Sequence, residues 1–108
     1  MSDKNCPVQR GLKVFEGKWN ARVLYELILQ PTMRFGELRK AIPNISNTML
    51  SATLRDLEER GMVCRQQFNE IPPHVEYSLT ESGKAFVPIF DAIGAWSTQY
   101  GKIASRQM

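Results

Sequence analysis

Up to Gly61 the apolar residues of this chain recur every three or four positions; beyond it they recur every second position. Leu50, Leu54 and Leu57 stand at i, i+4 and i+7 before the glycine, whereas Val75, Tyr77 and Leu79 alternate with Glu76 and Ser78 after it. Toward the C-terminus the spacing returns to threes and fours. Few folds accept helices, then one pair of strands, then a helix again.

The helical part divides at its prolines and glycines. Cys6 is the expected N-cap of a first helix, with Pro7 at N1, where a missing N–H costs nothing. Val8, Leu12 and Phe15 form its stripe and Gly17 ends it. Trp19, Val23, Leu24, Leu27 and Ile28 predict a central helix over 18–29, closed by Pro31. "RFGELRKA" predicts a short third helix over 35–41, which Pro43 stops. Ser46 is the expected N-cap of the fourth, Ile45 and Leu50 are spaced for a hydrophobic staple, and Gly61 supplies the left-handed C-terminal residue.

"MVCRQQFN" and "HVEYSLT" read as two strands joined by "EIPP", a connection too long for a tight turn. Cys64 alternates with Met62 and Phe68, which predicts a semi-buried packing position. Thr80 should cap a final helix whose Phe86, Ile89, Ile93, Trp96, Tyr100 and Ile103 form a heptad-like seam, and Pro88 predicts a break or kink near Val87. The expected architecture is one mainly α domain with a small β-hairpin, a winged helix-turn-helix. Its parts are an N-terminal helix over 7–16, a core over 18–60, a wing over 62–80 and a kinked C-terminal helix over 81–106.

With 108 residues, 43% of them hydrophobic, one core needs no metal or disulfide. The chain has no apolar run of about 20 residues, as a membrane helix needs, and "MSDKNCPVQR" has no signal-peptide core. A cytoplasmic protein is expected. Two cysteines without a CxxC spacing predict neither a disulfide framework nor a zinc site, and a single histidine argues against His-based catalysis. With no phosphate-binding glycine loop and no Ser/His/Asp set, an enzyme is not expected, nor is a cofactor.

The net charge of +3 is modest, but its distribution is informative. Arg34, Arg39, Lys40 and Arg55 face Glu37 alone between 34 and 55. The fourth helix shows Ser46, Asn47, Thr48, Ser51, Ala52 and Arg55 on its polar side, and its acids, Asp56, Glu58 and Glu59, crowd the far end, expected to point away from a duplex. A solvated helix usually mixes charges along its length. Short polar side chains without acids suit a helix that enters the major groove by its N-terminal half, with Ala52 placed to meet a thymine methyl. Arg65 and His74 flank the wing, where they are expected to reach phosphates or the minor groove. The competing reading is a winged-helix module for protein–protein contact without DNA.

"CPVQRGLKVFEGKW", "RFGELRKAIPNIS", "MLSATLRDLEERGMV" and "PPHVEYSLTESG" together resemble the HxlR family of bacterial winged-helix transcription regulators, relatives of the MarR type. The resemblance spans about 6–96 without gaps. It implies a homodimeric repressor or activator that binds double-stranded DNA at a two-fold symmetric operator, with dimer contacts from the first and last helices. It also implies that some members sense oxidants or electrophiles through a cysteine at the position of Cys6. His74 departs from the arginine usual in "PPxVEY", which weakens a charge contact at neutral pH.

The residues themselves support part of this. A thiol at a helix N-cap meets free N–H groups, and Lys4 and Arg10 are close in sequence, which favours the thiolate. The seam of Ile89, Ile93, Trp96, Tyr100 and Ile103 extends beyond the winged core, and a partner chain is its simplest cover, together with Val8, Leu12 and Phe15. The other arrangement folds the seam back onto those three residues of its own chain. No residue pattern names a small-molecule effector.

Overall fold

The computed structural model describes residues 6–106, with side chains as far as residue 101. Helix α1 (Pro7–Leu12) runs into a 3-10 turn (Lys13–Glu16) and is followed by α2 (Asn20–Leu29), strand β1 (Met33–Arg34), α3 (Phe35–Ala41), α4 (Asn47–Glu59), β2 (Val63–Phe68), β3 (His74–Leu79), α5 (Glu81–Lys84) and α6 (Val87–Arg106). The core lies between α2, α3, α4 and the sheet. Val23, Leu24, Leu27, Leu38, Leu50, Leu54 and Leu57 are all fully buried there.

The predicted hairpin is the larger part of a three-stranded antiparallel sheet in the order β1-β3-β2. Met33 and Arg34 pair with Tyr77 and Glu76. Two residues are too few to show a period, so β1 is invisible in the pattern. In β2 Val63 and Arg65 lie opposite Leu79 and Tyr77 on one face, Val63 buried and Arg65 exposed at its rim. Cys64 pairs with Ser78 on the outer face and is exposed, so the semi-buried position read for it is corrected. Met62 is buried because it ends the α4–β2 connection, one residue before the strand alternation begins.

Helix α4 ends as its glycine predicts. Gly61 has φ +76°, its N–H donates to the Glu58 carbonyl, and the Met62 N–H reaches back to the Leu57 carbonyl at 3.0 Å. This double closure brings Met62 against Leu57, both buried. At the other end of the wing Thr80 accepts the Gly83 N–H on its hydroxyl oxygen, capping α5. The chain turns at 85–86, and Pro88 stands in the first turn of α6, where its missing N–H breaks no ladder.

Candidate nucleic-acid interface

The connection between α3 and α4 fixes how α4 is presented. Pro43 blocks helix continuation, Asn44 adopts φ 70°, and Ile42 and Ile45 are buried on either side. Ser46 then caps α4, its Oγ accepting the Met49 N–H at 3.1 Å. With Leu50, Leu54 and Leu57 in the core, the opposite face of α4 is outside. Asn47, Thr48, Ser51, Ala52 and Arg55 are all exposed, and Ser46 with them. A hydroxyl that accepts a cap bond still has its own O–H to donate outward.

Exposed cations stand on elements neighbouring α4 in the chain. Arg39 and Lys40 are exposed in the last turn of α3, where they also complement the carbonyl end of that helix. Arg34 is exposed on β1 in register with Glu76. Glu37, the lone acid of the stretch, turns back on α3 and accepts the Arg34 N–H at 2.8 Å. Its carboxylate therefore serves the helix start. Arg55 and Arg65 line one cleft between α4 and the hairpin, along with Ser51 and Tyr77.

Two expected features look different in three dimensions. Of the acids at the end of α4, Asp56 turns toward the N-terminal segment, but Glu58 and Glu59 line the cleft beside Arg55 and Arg65. His74 is drawn into the hairpin. Its ring stacks on Phe68 at 4.8 Å, its Nε2 lies 3.0 Å from Glu76 Oε2, and its Nδ1 lies 3.6 Å from Glu70 Oε1. With carboxylates on both sides, His74 is poorly placed to meet a phosphate.

Asn20, which belongs to none of the site motifs, is 2% exposed and hydrogen-bonded to both Val14 and Asp56. Its bond to Asp56 helps position α4. The Asp56 carboxyl is held below the usual range, chiefly by the bond from Arg60 and further by that from Asn20, against the opposing effect of burial. A polar residue in the first turn of an apolar helix was the available signal.

Cys6 is half-buried at the N-cap of α1, with no side-chain cap hydrogen bond. Helix α1 has only six residues, so the dipole contribution expected at Cys6 is small, and Lys4 lies outside the described residues. The apolar stripe divides. Phe15 packs within its own chain on Phe86 and Phe90, with ring centroids 5.8 and 6.5 Å apart. Val8, Leu12, Ile89, Ile93, Trp96 and Tyr100 remain exposed. The Ile103 side chain lies outside the described residues. Among the described residues, no helix is long and apolar enough to cross a membrane.

Residues 14–105 match the model of the HxlR-like helix-turn-helix family. This chain belongs to that family. It is accordingly a helix-turn-helix transcription regulator and not an enzyme. It is 40% identical to the HTH-type transcriptional regulator YdzF of Bacillus subtilis over 98 residues, 91% of this chain and 90% of that one. Among solved structures it is similar to the redox regulator HypR in its reduced form, at 37% identity and TM-score 0.84, covering 93% of this chain and 98% of that one. The reduced form of the transcriptional regulator YodB from B. subtilis matches at 34% identity and TM-score 0.79, covering 88% and 93%. The winged-helix architecture read from the order of elements is that of the family.

Proposed function

We propose that this HxlR-type regulator is a cytoplasmic homodimer that binds a two-fold symmetric duplex operator, each protomer laying α4 in the major groove. The observation that carries this is the exposed N-terminal half of α4, free of acids, with Arg55 sharing a cleft with Arg65 of the wing. Asn47, Thr48, Ser51, Ala52 and Arg55 read bases. Ser46, Arg34, Arg39, Lys40 and Arg65 hold phosphates, and Arg65, rather than His74, provides the wing contact. An acidic recognition helix would have favoured a protein–protein module, and the N-terminal half of α4 carries no acid.

Selection of bound duplexes from a random pool tests the reading, with a two-fold symmetric consensus as the expected product. On that site Arg55→Ala should lose about 1–3 kcal/mol of specific affinity. Binding should also weaken steeply with salt, with a slope near −0.9 for each phosphate neutralised. Binding to no duplex, or an Arg55→Ala protein that holds the site as wild type does, would overturn the assignment.

The exposed stripes of α1 (Val8, Leu12) and α6 (Ile89, Ile93, Trp96, Tyr100) form the dimer contact. Cys6, at the start of α1, is the proposed redox or electrophile sensor. Support comes from its place beside that contact and from the similarity to HypR, a redox regulator. Modification there would disturb the packing of α1 and so the approach of the two protomers. Treatment with diamide or a quinone should release DNA from wild type and from Cys64→Ser, but not from Cys6→Ser. If Cys6→Ser releases DNA as readily as wild type, Cys6 is a cap residue alone; Cys64 is exposed on the wing and its variant reveals whether it responds.

A further inference from the structure

Three segments meet at one amide. Asn20, at the start of α2, donates from Nδ2 to the Val14 carbonyl at 2.9 Å and to Asp56 Oδ2 at 3.0 Å. Val14 belongs to the 3-10 turn that follows α1, and Asp56 belongs to α4. The same Asp56 oxygen accepts from Arg60 Nε at 2.9 Å. Gly17 leaves the room this arrangement needs: a Cβ there would stand 2.6–2.8 Å from the atoms of the Asn20 side-chain amide.

The turn that offers the Val14 carbonyl also carries Phe15, which is seated on Phe86 and Phe90 where α6 begins. One rigid corner therefore joins α1 to α6, the two helices with exposed apolar stripes. The Asn20 amide fastens α4 to that corner. If filling space were the only requirement, an apolar residue would serve, because a buried amide is tolerated only when its hydrogen bonds are made. Here both protons of one nitrogen are used, and they bind partners on two different elements. Asp56, by contrast, has a side chain 42% exposed, so its bond to Asn20 contributes little to the core and much to the orientation of α4.

We propose that Asn20 is a positioning residue: through Val14 and Asp56 it sets the angle between the α1–α6 frame and α4, and hence the separation at which two copies of α4 meet DNA. This rests on the dimeric DNA-binding reading above. Each base pair moves a half-site by about 3.4 Å along the duplex and turns it around the axis, so an angle held by two hydrogen bonds becomes a preference for one spacing.

The experiment measures affinity for a series of duplexes whose half-sites are separated by the selected spacer or by one or two base pairs more or fewer. Wild type should prefer one spacing by about tenfold or more, within the range typical of energetic coupling between sites. Asp56→Ala removes the α4 side of the link at a partly exposed position, and Asn20→Leu removes both bonds. Each should compress that preference to roughly threefold or less. Asp56→Asn, whose amide oxygen still accepts from Asn20, and Arg60→Ala, which leaves the Asn20 bond in place, should keep it. A structural role alone would weaken binding equally at every spacing. That result with Asp56→Ala overturns the inference even if Asn20→Leu does not fold. A wild-type protein with no spacing preference would overturn the two-fold reading itself, and this inference with it.

Discussion

Trp96→Asp should sediment as a folded monomer and lose operator binding by about two to four orders of magnitude, the factor that linking two binding modules contributes. Trp96 is 61% exposed in the single chain, with its ring 5.9 Å from that of Tyr100. Ile89 and Ile93 continue the same stripe of α6, and Val8 and Leu12 stand exposed on α1. Burying one such large side chain stabilises by about 1.5–3 kcal/mol, so several of them make a strong contact. A carboxylate placed within it has no partner and opposes association. The fold of each protomer should survive, because Trp96 lies outside the buried cluster. Unchanged helical circular dichroism beside a halved mass is the expected pair of observations. A variant that stays dimeric would show that two protomers join by another surface.

The seam illustrates what periodicity conveys and what it leaves open. Spacing alone shows that Phe86, Ile89, Ile93, Trp96 and Tyr100 share one side of a helix. It cannot say where the chain's own cover ends. In the structure that cover stops at Phe90, which meets Phe15 and Tyr25, and residues 91–100 of α6 are exposed. Phe15 reads as part of an intermolecular stripe because its spacing from Val8 and Leu12 fits one helix. A 3-10 turn from Lys13 changes the winding and sends Phe15 inward to α6.

The exposed face of α4 is legible in the sequence for a different reason. Its limits are set by local chemistry: Ser46 caps the helix, Gly61 ends it, and the three leucines Leu50, Leu54 and Leu57 orient it. What local chemistry does not encode is pairing across long separations. Asn20 and Asp56 are 36 positions apart, and β1 finds β3 over a longer interval still. His74 reads as an outward wing residue until Glu70, Glu76 and Phe68 are placed around it. Met62, though buried, lies before the strand and so sets a false phase for Cys64, which faces outward.

Gly83→Ala should lower stability by about 3 kcal/mol, the upper end of what overpacking costs, which corresponds to a melting midpoint lower by roughly 12 °C or more. Gly83 is buried in α5, and a Cβ on it would run into the Met62 carbonyl oxygen while standing 3.0–3.2 Å from the Leu79 side chain. A flexible side chain could swing aside, but the Met62 oxygen is main chain and is already engaged, accepting the Thr80 N–H at 3.0 Å. The Thr80 hydroxyl in turn donates to the Gly61 carbonyl. The added methyl would therefore pry apart the corner where α4 ends, the wing closes and the C-terminal helices begin. Gly36→Ala is the contrast: nothing lies within 4 Å of its Cβ position in α3, so alanine should be neutral or stabilise by up to about 1 kcal/mol through helix propensity. Thermal melts of both variants and wild type at equal protein concentration make the comparison, since association shifts the midpoint with concentration. A Gly83→Ala protein that melts with wild type would mean that the corner yields easily, and that the wing is not held on α4 by this contact.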